Sequence, residues 1–313
     1  MDAIQLFVII SAMDRKLISD FFHLNLPSDM EQCIELFAIF GGYSQPIDTD
    51  QPIETLIFEH IISLFESHRE NILIPLNDNP LYINLLHAIA VGDRRQRSAY
   101  RRARIGKERG SEAFIFLRHS GYLSLERSRE MPLQRAYPKQ RFKKEIEHHV
   151  ISHKYRFTTP FLRFWFAFVE PFSQSIREGN YQFFLEHFRE HFNAFVGFTF
   201  EELCDLYIRE ILAPTCESDI LDSGSYWNRE VEIDLFTETM EGEIWVGECK
   251  WTNHKVNKKE FHKLEEKCSK LSITPDKILL FTKRGFSNEL NDIKDKRLYR
   301  IVAEELSVLT NRS

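Results

Sequence analysis

Residues 231–236 read VEIDLF and residues 244–250 read IWVGECK, with a polar turn between the two runs. Both runs alternate in polarity, which predicts two neighbouring β-strands. Because side chains two residues apart on a strand share a face, Glu248 and Lys250 project together, on the face that also carries Ile244. A carboxylate and an ammonium group on an apolar face are costly to desolvate unless something compensates them, and a divalent metal ion would do so.

The spacing between Asp234 and Glu248 suits a hairpin that sets the two carboxylates side by side. Hard cations such as Mg²⁺ are held by one or two carboxylates, while water and substrate phosphate complete the coordination shell. The two strands are therefore a candidate site for Mg²⁺ or Mn²⁺.

The length of 313 residues is enough for two or three domains, each with its own core. The five cysteines are widely spaced and never form a C-x-x-C arrangement, so we expect neither a disulfide framework nor a zinc cage. A reducing cytoplasm fits this cysteine usage. The apolar run 4–13 is too short to span a bilayer and lacks a basic flank, so no membrane anchor or secretory signal is expected.

Charge is distributed unevenly along the chain, whose net charge is −6. Residues 93–156 contain eighteen Lys or Arg against seven Asp or Glu, so the remainder of the chain is strongly acidic. A basic block of this size can supply the phosphate contacts that dominate nucleic-acid affinity. The alternative is a solvated helical face that forms salt bridges with the acidic flanks. The charge asymmetry favours contact with DNA or RNA.

Residues 1–79 are predicted to be mostly helical. One helix includes residues 33–40 and stops at Gly41-Gly42, and a second covers about residues 53–65. No G-x-x-x-x-G-K-[ST] phosphate-binding loop occurs in the sequence, so ATP hydrolysis is not expected.

Residues 80–156 have the element order of a winged helix: helices near 81–91 and 111–120, a basic segment between them, and a β wing after Gly121. In such modules the last helix enters the major groove while basic residues around it hold phosphates. The last helix here has the apolar centre FIFL and must be largely core, so we assign the phosphate contacts to the basic segment. The candidates are Arg94, Arg95, Arg97, Arg101, Arg102 and Arg104.

Residues 157–196 form an aromatic helical region. Its aromatic side chains recur at intervals of three and four residues, which is typical of a helical core and not of a stacking platform for bases. Residues 187–191 read HFREH and match the H-x-x-E-H pattern of inverted zinc proteases. A catalytic zinc site needs three protein ligands and no third partner is evident, so a solvated helix face is the favoured interpretation.

Residues 197–313 begin with a helix. At about 100° per residue, this helix places Glu201 at the edge of its apolar face and Glu202 on the opposite side, so Glu201 is predicted to be the inward acid. Strands and one further helix follow and give the order α-β-β-β-α-β. They are predicted at 224–227, 231–236, 244–250, 277–281 and 298–302, with the helix over 257–271. The fold class of the whole chain is therefore α+β.

That order, with an acid on the first helix, Asp234 on the second strand and Glu248-x-Lys250 on the third, resembles the PD-(D/E)XK nuclease superfamily. The resemblance implies a restriction-endonuclease-like domain over residues 197–313. It implies that Asp234 and Glu248 are ligands of Mg²⁺ or Mn²⁺, and that Lys250 orients the attacking water or neutralises charge that develops on the phosphate.

The same resemblance gives supporting roles to three further groups. Glu201 would bind the metal or hold a metal-bound water, the Cys249 carbonyl is a candidate third ligand, and Glu232 would assist from the strand of Asp234. The alternative is a fold that keeps these acids as an ion-pair cluster and cuts nothing, because ion-pair networks also place acids beside lysines.

A second resemblance extends beyond the nuclease core, to the C-terminal domain-of-unknown-function region of archaeal-type ATPases. The similar segments are residues 155–157, 161–166, 197–204 and 227–250. Such proteins place an ATPase domain, a helical lid and a winged helix ahead of this region. Here residues 37–42 resemble part of the lid, so residues 1–79 are interpreted as a lid remnant without its ATPase domain.

The leading hypothesis is a cytoplasmic, metal-dependent DNA nuclease, in which the winged helix supplies affinity and the C-terminal domain hydrolyses phosphodiester bonds. The competing hypothesis is a catalytically inactive DNA-binding or scaffolding protein that acts with a separately encoded ATPase. An orphan remnant without a partner is the third alternative.

Overall fold

The computed structural model describes residues 14–130 and 150–311 and has the predicted α+β architecture. Helices fill the N-terminal part, a two-stranded sheet follows, and a five-stranded mixed sheet lies towards the C-terminal end. The apolar run 4–13 lies outside the described residues. Within the described ranges, no helix is both long enough and apolar enough to cross a membrane.

The N-terminal helices are α1 (Arg15–Asn25), α2 (Met30–Phe40), α3 (Ile53–Ile57) and α4 (Phe65–Leu73). Asp14 and Asp29 precede the first two helices, and each carboxylate accepts a hydrogen bond from a backbone N–H of the first turn. Helix α2 ends at Gly41, as predicted. The predicted second helix is divided, because α3 continues through a π-helical segment, Phe58–Ile62, before α4 begins at Phe65. A 3₁₀ turn, Ile74–Leu76, follows α4.

The middle elements follow the order predicted for a winged helix, three helices and then a hairpin. They are α5 (Pro80–Ala90), α6 (Gln96–Arg102), α7 (Lys107–His119), β1 (Leu123–Glu126) and β2 (Lys154–Phe157). The two strands are antiparallel, and Arg95 forms an isolated bridge to Lys154 beside them. The link from β1 to β2 includes residues 131–149, which lie outside the described part of the chain. We call these five elements the wing module.

The aromatic region contains α8 (Pro160–Phe164), a π-helical segment (Trp165–Val169), a 3₁₀ turn (Glu170–Phe172) and α9 (Ser173–Arg177). The prediction that its aromatic side chains form core is confirmed for Phe164, Trp165, Phe166, Phe168, Phe184 and Phe188, which are all buried. Phe183 differs and is exposed, because it lies on the solvent side of the next helix.

That next helix is α10 (Gln182–Tyr207), and it continues through a π-helical segment, Ile208–Leu212, into α11 (Ala213–Thr215). The boundary predicted between residues 196 and 197 falls inside α10. The aromatic region and the C-terminal sheet are therefore joined by a continuous helix.

The C-terminal strands are β3 (Ile220–Trp227), β4 (Glu232–Thr239), β5 (Ile244–Lys250), β6 (Lys277–Thr282) and β7 (Leu298–Val302). They pair in chain order, antiparallel from β3 to β5 and parallel from β5 to β7. Helix α12 (Lys258–Lys270) makes the crossover from β5 to β6, and α13 (Asn288–Asn291) precedes β7. The predicted α-β-β-β-α-β order is confirmed.

Both faces of the five-stranded sheet are covered. Leu235 and Trp245 lie on the face towards α10 and the N-terminal helices, and Phe236 and Val246 lie on the face towards α12. The core on the first face also includes residues of the wing module and of α1. The final 3₁₀ segment, Ala303–Thr310, packs on α1. Sheet, wing module and N-terminal helices therefore share a continuous core.

Candidate active site

A β-bulge in β4 determines where Asp234 lies. Gly224 pairs with Phe236 and Tyr226 pairs with Ile233, so β4 carries one extra residue between these pairs. As a result Ile233 and Phe236 enter the same core layer, although a regular strand would place them on opposite faces. Bulges re-aim side chains and interrupt pairing, and they are common beside active sites. The bulge therefore includes Asp234, beside the point where the pairing of β4 with β5 stops.

The pairing of β4 with β5 stops beside Asp234. Leu235 opposite Gly247 is the last paired position in that direction, and beyond it the Cys249 N–H donates to Oδ2 of Asp234 at 3.0 Å. A side chain at residue 247 would bring its Cβ within 3.0 Å of Leu235 and 3.1 Å of the Leu279 carbonyl. Glycine at this position therefore lets the three strands approach closely immediately before Glu248.

Glu248 and Lys250 share a face, as the alternation predicts. Lys250 Nζ donates to Oε1 of Glu248 at 2.6 Å, and Lys267 Nζ, from α12, donates to Oε2 at 2.6 Å. Both carboxylate oxygens of Glu248 therefore accept a hydrogen bond from an ammonium group. Lys250 also lies 3.5 Å from Oε2 of Glu260. Burial acts to lower the pKa of Lys250, but the charge and hydrogen bond of Glu248, together with the charges of Asp234 and Glu260, outweigh burial and raise that pKa, so Lys250 is a cation at neutral pH.

Asp234 lies among other negative charges. Burial raises its pKa to about 8, and the charges of Glu201 and Glu248 add to that shift. The hydrogen bond from Cys249 and the charge of Lys250 act in the opposite direction and only partly compensate. The charges that act on Asp234 therefore come from α10 (Glu201) and from β5 (Glu248 and Lys250).

Glu201 is half-buried on α10. Burial raises its pKa, although Arg94, Lys154 and Arg156 oppose the shift with their positive charges. Glu201 is therefore placed between the acidic end of the sheet and the cations of the wing module. The prediction that Glu201 binds the metal or holds a metal-bound water stays a prediction. Its negative charge acts to raise the pKa of Asp234.

Glu202 differs from the prediction. It is 7% exposed instead of pointing to solvent, and its Oε1 lies 3.6 Å from Nη1 of Arg156. Burial raises the pKa of Glu202, and Arg156 and Arg163 act against that shift. The helical projection assumed a solvent face opposite the apolar face, and the wing module covers that face.

Glu232, expected to assist Asp234, has another set of partners. Its carboxylate accepts hydrogen bonds from Lys154 at 2.6 Å and from Arg95 at 2.7 Å. Lys154 is fully buried, and its ammonium group lies 4.4 Å from the ring centre of Trp227. Glu232 therefore joins β4 to the wing module.

Glu126 makes a second connection of this kind. Arg156 donates to both of its oxygens, at 2.8 and 2.9 Å, and the Ser225 N–H on β3 donates to Oε1 at 2.9 Å. Burial acts to raise the pKa of Glu126, but the charges of Arg156 and Arg94, together with the hydrogen bonds from Arg156 and Ser225, outweigh burial and hold that pKa well below its usual range. The sequence did not predict the pairing of Glu126 with Arg156. The only indication in the sequence was the alternation of Lys154 and Arg156 along β2.

The six candidate arginines divide into two groups. Arg94 and Arg95 turn inward: Arg94 donates to Glu126 at 3.3 Å, with its guanidinium carbon 3.9 Å from the ring centre of Phe198, and Arg95 pairs with Glu232. For these two residues the alternative interpretation of the basic block is therefore correct: they form salt bridges with acidic residues elsewhere in the chain. The remaining four side chains are exposed. They are Arg97, Arg101, Arg102 and Arg104.

A cavity of about 610 Å³ opens beside α6. None of the described residues that line it is acidic. Its cationic lining comes from α6, the start of α7 and the turn between β3 and β4: Arg95, Arg97, Arg101, Lys107 and Arg229. We call this cavity the basic groove. Its charge and its position at the junction with β4 suit a polyanion.

No preformed metal site is present among residues 14–130 and 150–311, where no three His, Cys, Asp or Glu side chains are grouped to hold an ion. Both oxygens of Glu248 are instead paired with lysines. The donor chemistry nevertheless suits a hard cation, because Asp234 and Glu248 are carboxylates on the neighbouring strands β4 and β5, and the charges of Glu201 and Glu248 add to the burial that raises the pKa of Asp234. All five cysteines are free thiols.

One family model matches part of the chain. DUF234, described as archaea bacterial proteins of unknown function, matches residues 165–264. The matched segment contains Glu201, Asp234, Glu248 and Lys250 and ends within α12. It is consistent with the domain-of-unknown-function region that the sequence resembles. No curated protein and no solved structure matches the chain.

Proposed function

We propose that this protein is a metal-dependent DNA nuclease that hydrolyses phosphodiester bonds at the end of the β4–β5 pair. The observation that carries the proposal is the arrangement at this end of the pair, where the Cys249 N–H donates to Asp234 at 3.0 Å and Lys250 donates to Glu248 at 2.6 Å. Burial raises the pKa of Asp234 to about 8, and the charges of Glu201 and Glu248 add to that shift. Carboxylates that share a buried region repel one another, and a bound divalent cation relieves that repulsion. Lys250 supplies the cationic group that phosphoryl chemistry needs beside such acids.

Asp234, Glu248 and Glu201 are the residues that would hold Mg²⁺ or Mn²⁺. When bound, such an ion polarises the scissile phosphate and lowers the pKa of its bound water. Glu248 must then release at least one of its two lysines. Lys250 and Lys267 are each a little over one quarter exposed, so their ammonium groups can turn from Glu248 towards a phosphate oxygen. Lys250 thereby places positive charge where negative charge develops during hydrolysis.

The wing module would hold the DNA. Arg97, Arg101, Arg102 and Arg104 are exposed, and the basic groove adds Lys107 and Arg229. Contacts of this kind bind the phosphate backbone and give little sequence preference. Because Arg95 lines the groove and also pairs with Glu232 on β4, a duplex in the groove lies next to the strand that carries Asp234.

A second candidate function is a catalytically inactive DNA-binding or scaffolding protein that acts with a separately encoded ATPase. The observation that favours it is the pairing of both Glu248 oxygens with lysines, which leaves the acids as an ion-pair cluster. Under this alternative the exposed arginines still bind DNA, and the acids at the end of β4 and β5 cut nothing.

Cleavage assays separate the two functions. Supercoiled, linear and branched DNA are incubated with the full chain in Mg²⁺ or Mn²⁺, and nicks are counted on gels. We expect cleavage by the unmodified chain and a loss of about a hundredfold or more in Asp234→Asn and Lys250→Met. Glu230→Gln is the matched control, since Glu230 is an exposed carboxylate in the turn before β4 and lies outside the proposed site.

Cleavage at the same rate in Asp234→Asn would show that the activity comes from elsewhere. DNA retention without cleavage of any substrate, by a chain that is folded and binds DNA through its exposed arginines, would favour the inactive alternative.

A further inference from the structure

A second cavity, of about 500 Å³, lies between the C-terminal end of α5, Arg102 of α6 and the N-terminal half of α10. Three histidines and three arginines line it, and none of the described lining residues is acidic. They are His87, Arg94, Arg102, Arg163, His187 and His191. Phenylalanine side chains, Phe168, Phe195 and Phe198, form much of the remaining wall. We call this cavity the Arg-His pocket.

Arg163 is the most informative residue of the pocket. It is 9% exposed, and its guanidinium carbon lies 3.9 Å from the ring centre of Phe195 and 4.3 Å from that of Phe198. Its Nη1 donates to the Phe195 carbonyl at 3.1 Å, and it forms no salt bridge with a carboxylate of the described residues. Burial lowers the pKa of Arg163 to about 9, and the charge of Glu202 only partly opposes that shift. A buried guanidinium group has a high desolvation cost unless an anion binds beside it.

The histidines come from the H-x-x-E-H motif. His187 and His191 lie one turn apart on α10, with ring centres 4.4 Å apart. Burial lowers the pKa of His187, and the neighbouring His191 and His87 add to that shift. Glu190, the acid of the motif, is exposed. The two imidazoles therefore face a cationic pocket, and the motif does not assemble a zinc site among the described residues.

We propose that the Arg-His pocket binds a nucleotide that carries a terminal phosphate monoester. The arginines and histidines would hold the phosphate, and the phenylalanine wall would accept the base. The volume is in the range of small-molecule sites, and a lining of three arginines, of which Arg94 also pairs with Glu126, suits a dianionic monoester better than a backbone diester of single charge. The ligand is either a free nucleotide or the phosphorylated end of a DNA strand.

Binding is measured by calorimetry on the full chain with EDTA present, so that the result does not depend on metal or on cleavage. The probes are adenosine, AMP, ATP and inorganic phosphate, and a short single-stranded oligonucleotide with a 5′-phosphate, a 3′-phosphate or hydroxyls at both ends. The variants are Arg163→Gln and the double change His187→Ala with His191→Ala. The histidine variant keeps the test decisive if the buried Arg163 change impairs folding.

Arg189→Gln is the matched control, because Arg189 is an exposed arginine of α10 that pairs with Glu54 away from the pocket. We expect a phosphorylated probe to bind about tenfold or more tightly than its unphosphorylated form, and the histidine variant to lose about as much, with the control unchanged. Binding of AMP or ATP identifies a free nucleotide, and binding of a phosphorylated oligonucleotide alone identifies a strand end.

Equal affinity for phosphorylated and unphosphorylated probes, or unchanged affinity in the histidine variant, would overturn the proposal. Inorganic phosphate that binds as tightly as AMP would overturn the assignment of a nucleotide.

Discussion

Asp234 occupies a position that favours its protonated form, and this has a consequence for stability. In the unfolded chain an aspartate has a pKa near 4, whereas burial and the neighbouring acids raise the pKa of folded Asp234 to about 8. Between these values the folded chain binds a proton that the unfolded chain has lost. The contribution of Asp234 to stability therefore falls as pH rises from about 4 to about 8.

Asp234→Asn should remove this pH dependence. Asparagine keeps an oxygen that accepts the Cys249 hydrogen bond but carries no charge. At pH 8 we expect the variant to be more stable than the unmodified chain by more than about 1 kcal/mol. This is a lower bound, because each pKa unit of the shift corresponds to about 1.4 kcal/mol. Near pH 4 the two should be equal. Urea unfolding at both pH values measures the difference, and parallel pH profiles for the two chains would refute the raised pKa.

At the scale of single residues, sequence periodicity predicted part of the candidate site. The shared face of Glu248 and Lys250 follows from the two-residue repeat of a strand and is observed. The bulge at Asp234 could not be predicted, because one unpaired residue leaves no trace in the alternation of so short a strand. The prediction for Glu202 was wrong because a helical projection cannot show which distant element covers a face.

At the scale of elements, the pair of Lys154 and Glu232 joins strand β2 to strand β4. Lys154 is fully buried, whereas nearly half of the Glu232 side chain is exposed. Removal of the acid would leave a buried cation without its partner, whereas removal of the lysine would leave an exposed acid that still has Arg95. The two changes should therefore have unequal effects.

We expect Glu232→Gln to lower the free energy of unfolding by about 2 kcal/mol and Lys154→Met by less than about 1 kcal/mol. Urea unfolding monitored by tryptophan fluorescence measures both values. Glu230→Gln, at the exposed turn before β4, is the control and should change little. A larger decrease for Lys154→Met than for Glu232→Gln would contradict this assignment of the pair.

The exposed arginines of α6 and its C-terminal loop should govern DNA affinity. Each of Arg97→Gln, Arg101→Gln and Arg104→Gln is expected to weaken binding and to reduce the slope of log affinity against log salt by about 0.9 for each phosphate that is no longer neutralised. Fluorescence anisotropy with labelled duplexes at several salt concentrations gives the slopes. Arg189→Gln serves as the control, and equal slopes in all variants would exclude these side chains as phosphate ligands.

The sequence predicted most elements within a few residues because helix and strand periodicities are local. It assigned all six arginines to DNA, although Arg94 and Arg95 are used internally. Their partners, Glu126 and Glu232, lie far away in the chain, and local charge counts carry no information on such pairing.

For the whole molecule, the predicted domain limits differ from the extent of the core. A continuous core includes Ile18 of α1, the wing module, α10 and Leu309 near the C-terminal end. Lys283, after β6, is buried and pairs with Glu31 and Glu35 of α2. The sheet face that contains Trp245 therefore depends on helices from the N-terminal half of the chain.

A fragment of residues 197–313 should not fold by itself. It begins within α10 and lacks the helices that cover one face of the sheet, so it would expose a large apolar surface. We expect no sharp urea transition and no near-ultraviolet circular dichroism for the fragment, and a single cooperative transition for the full chain. A cooperative transition in the fragment would show that the C-terminal sheet is an independent domain.

Calorimetric titration of the full chain with Mn²⁺ near pH 7 shows whether Asp234, Glu248 and Glu201 form a divalent-cation site, on which the proposed nuclease activity depends. We expect a single site, with proton release as Asp234 loses its proton, and loss of binding in Asp234→Asn and Glu248→Gln but not in Glu230→Gln. Titration in buffers of different ionisation enthalpy measures the released proton. No binding by the unmodified chain, or equal binding by Asp234→Asn, would contradict a cation site at these carboxylates.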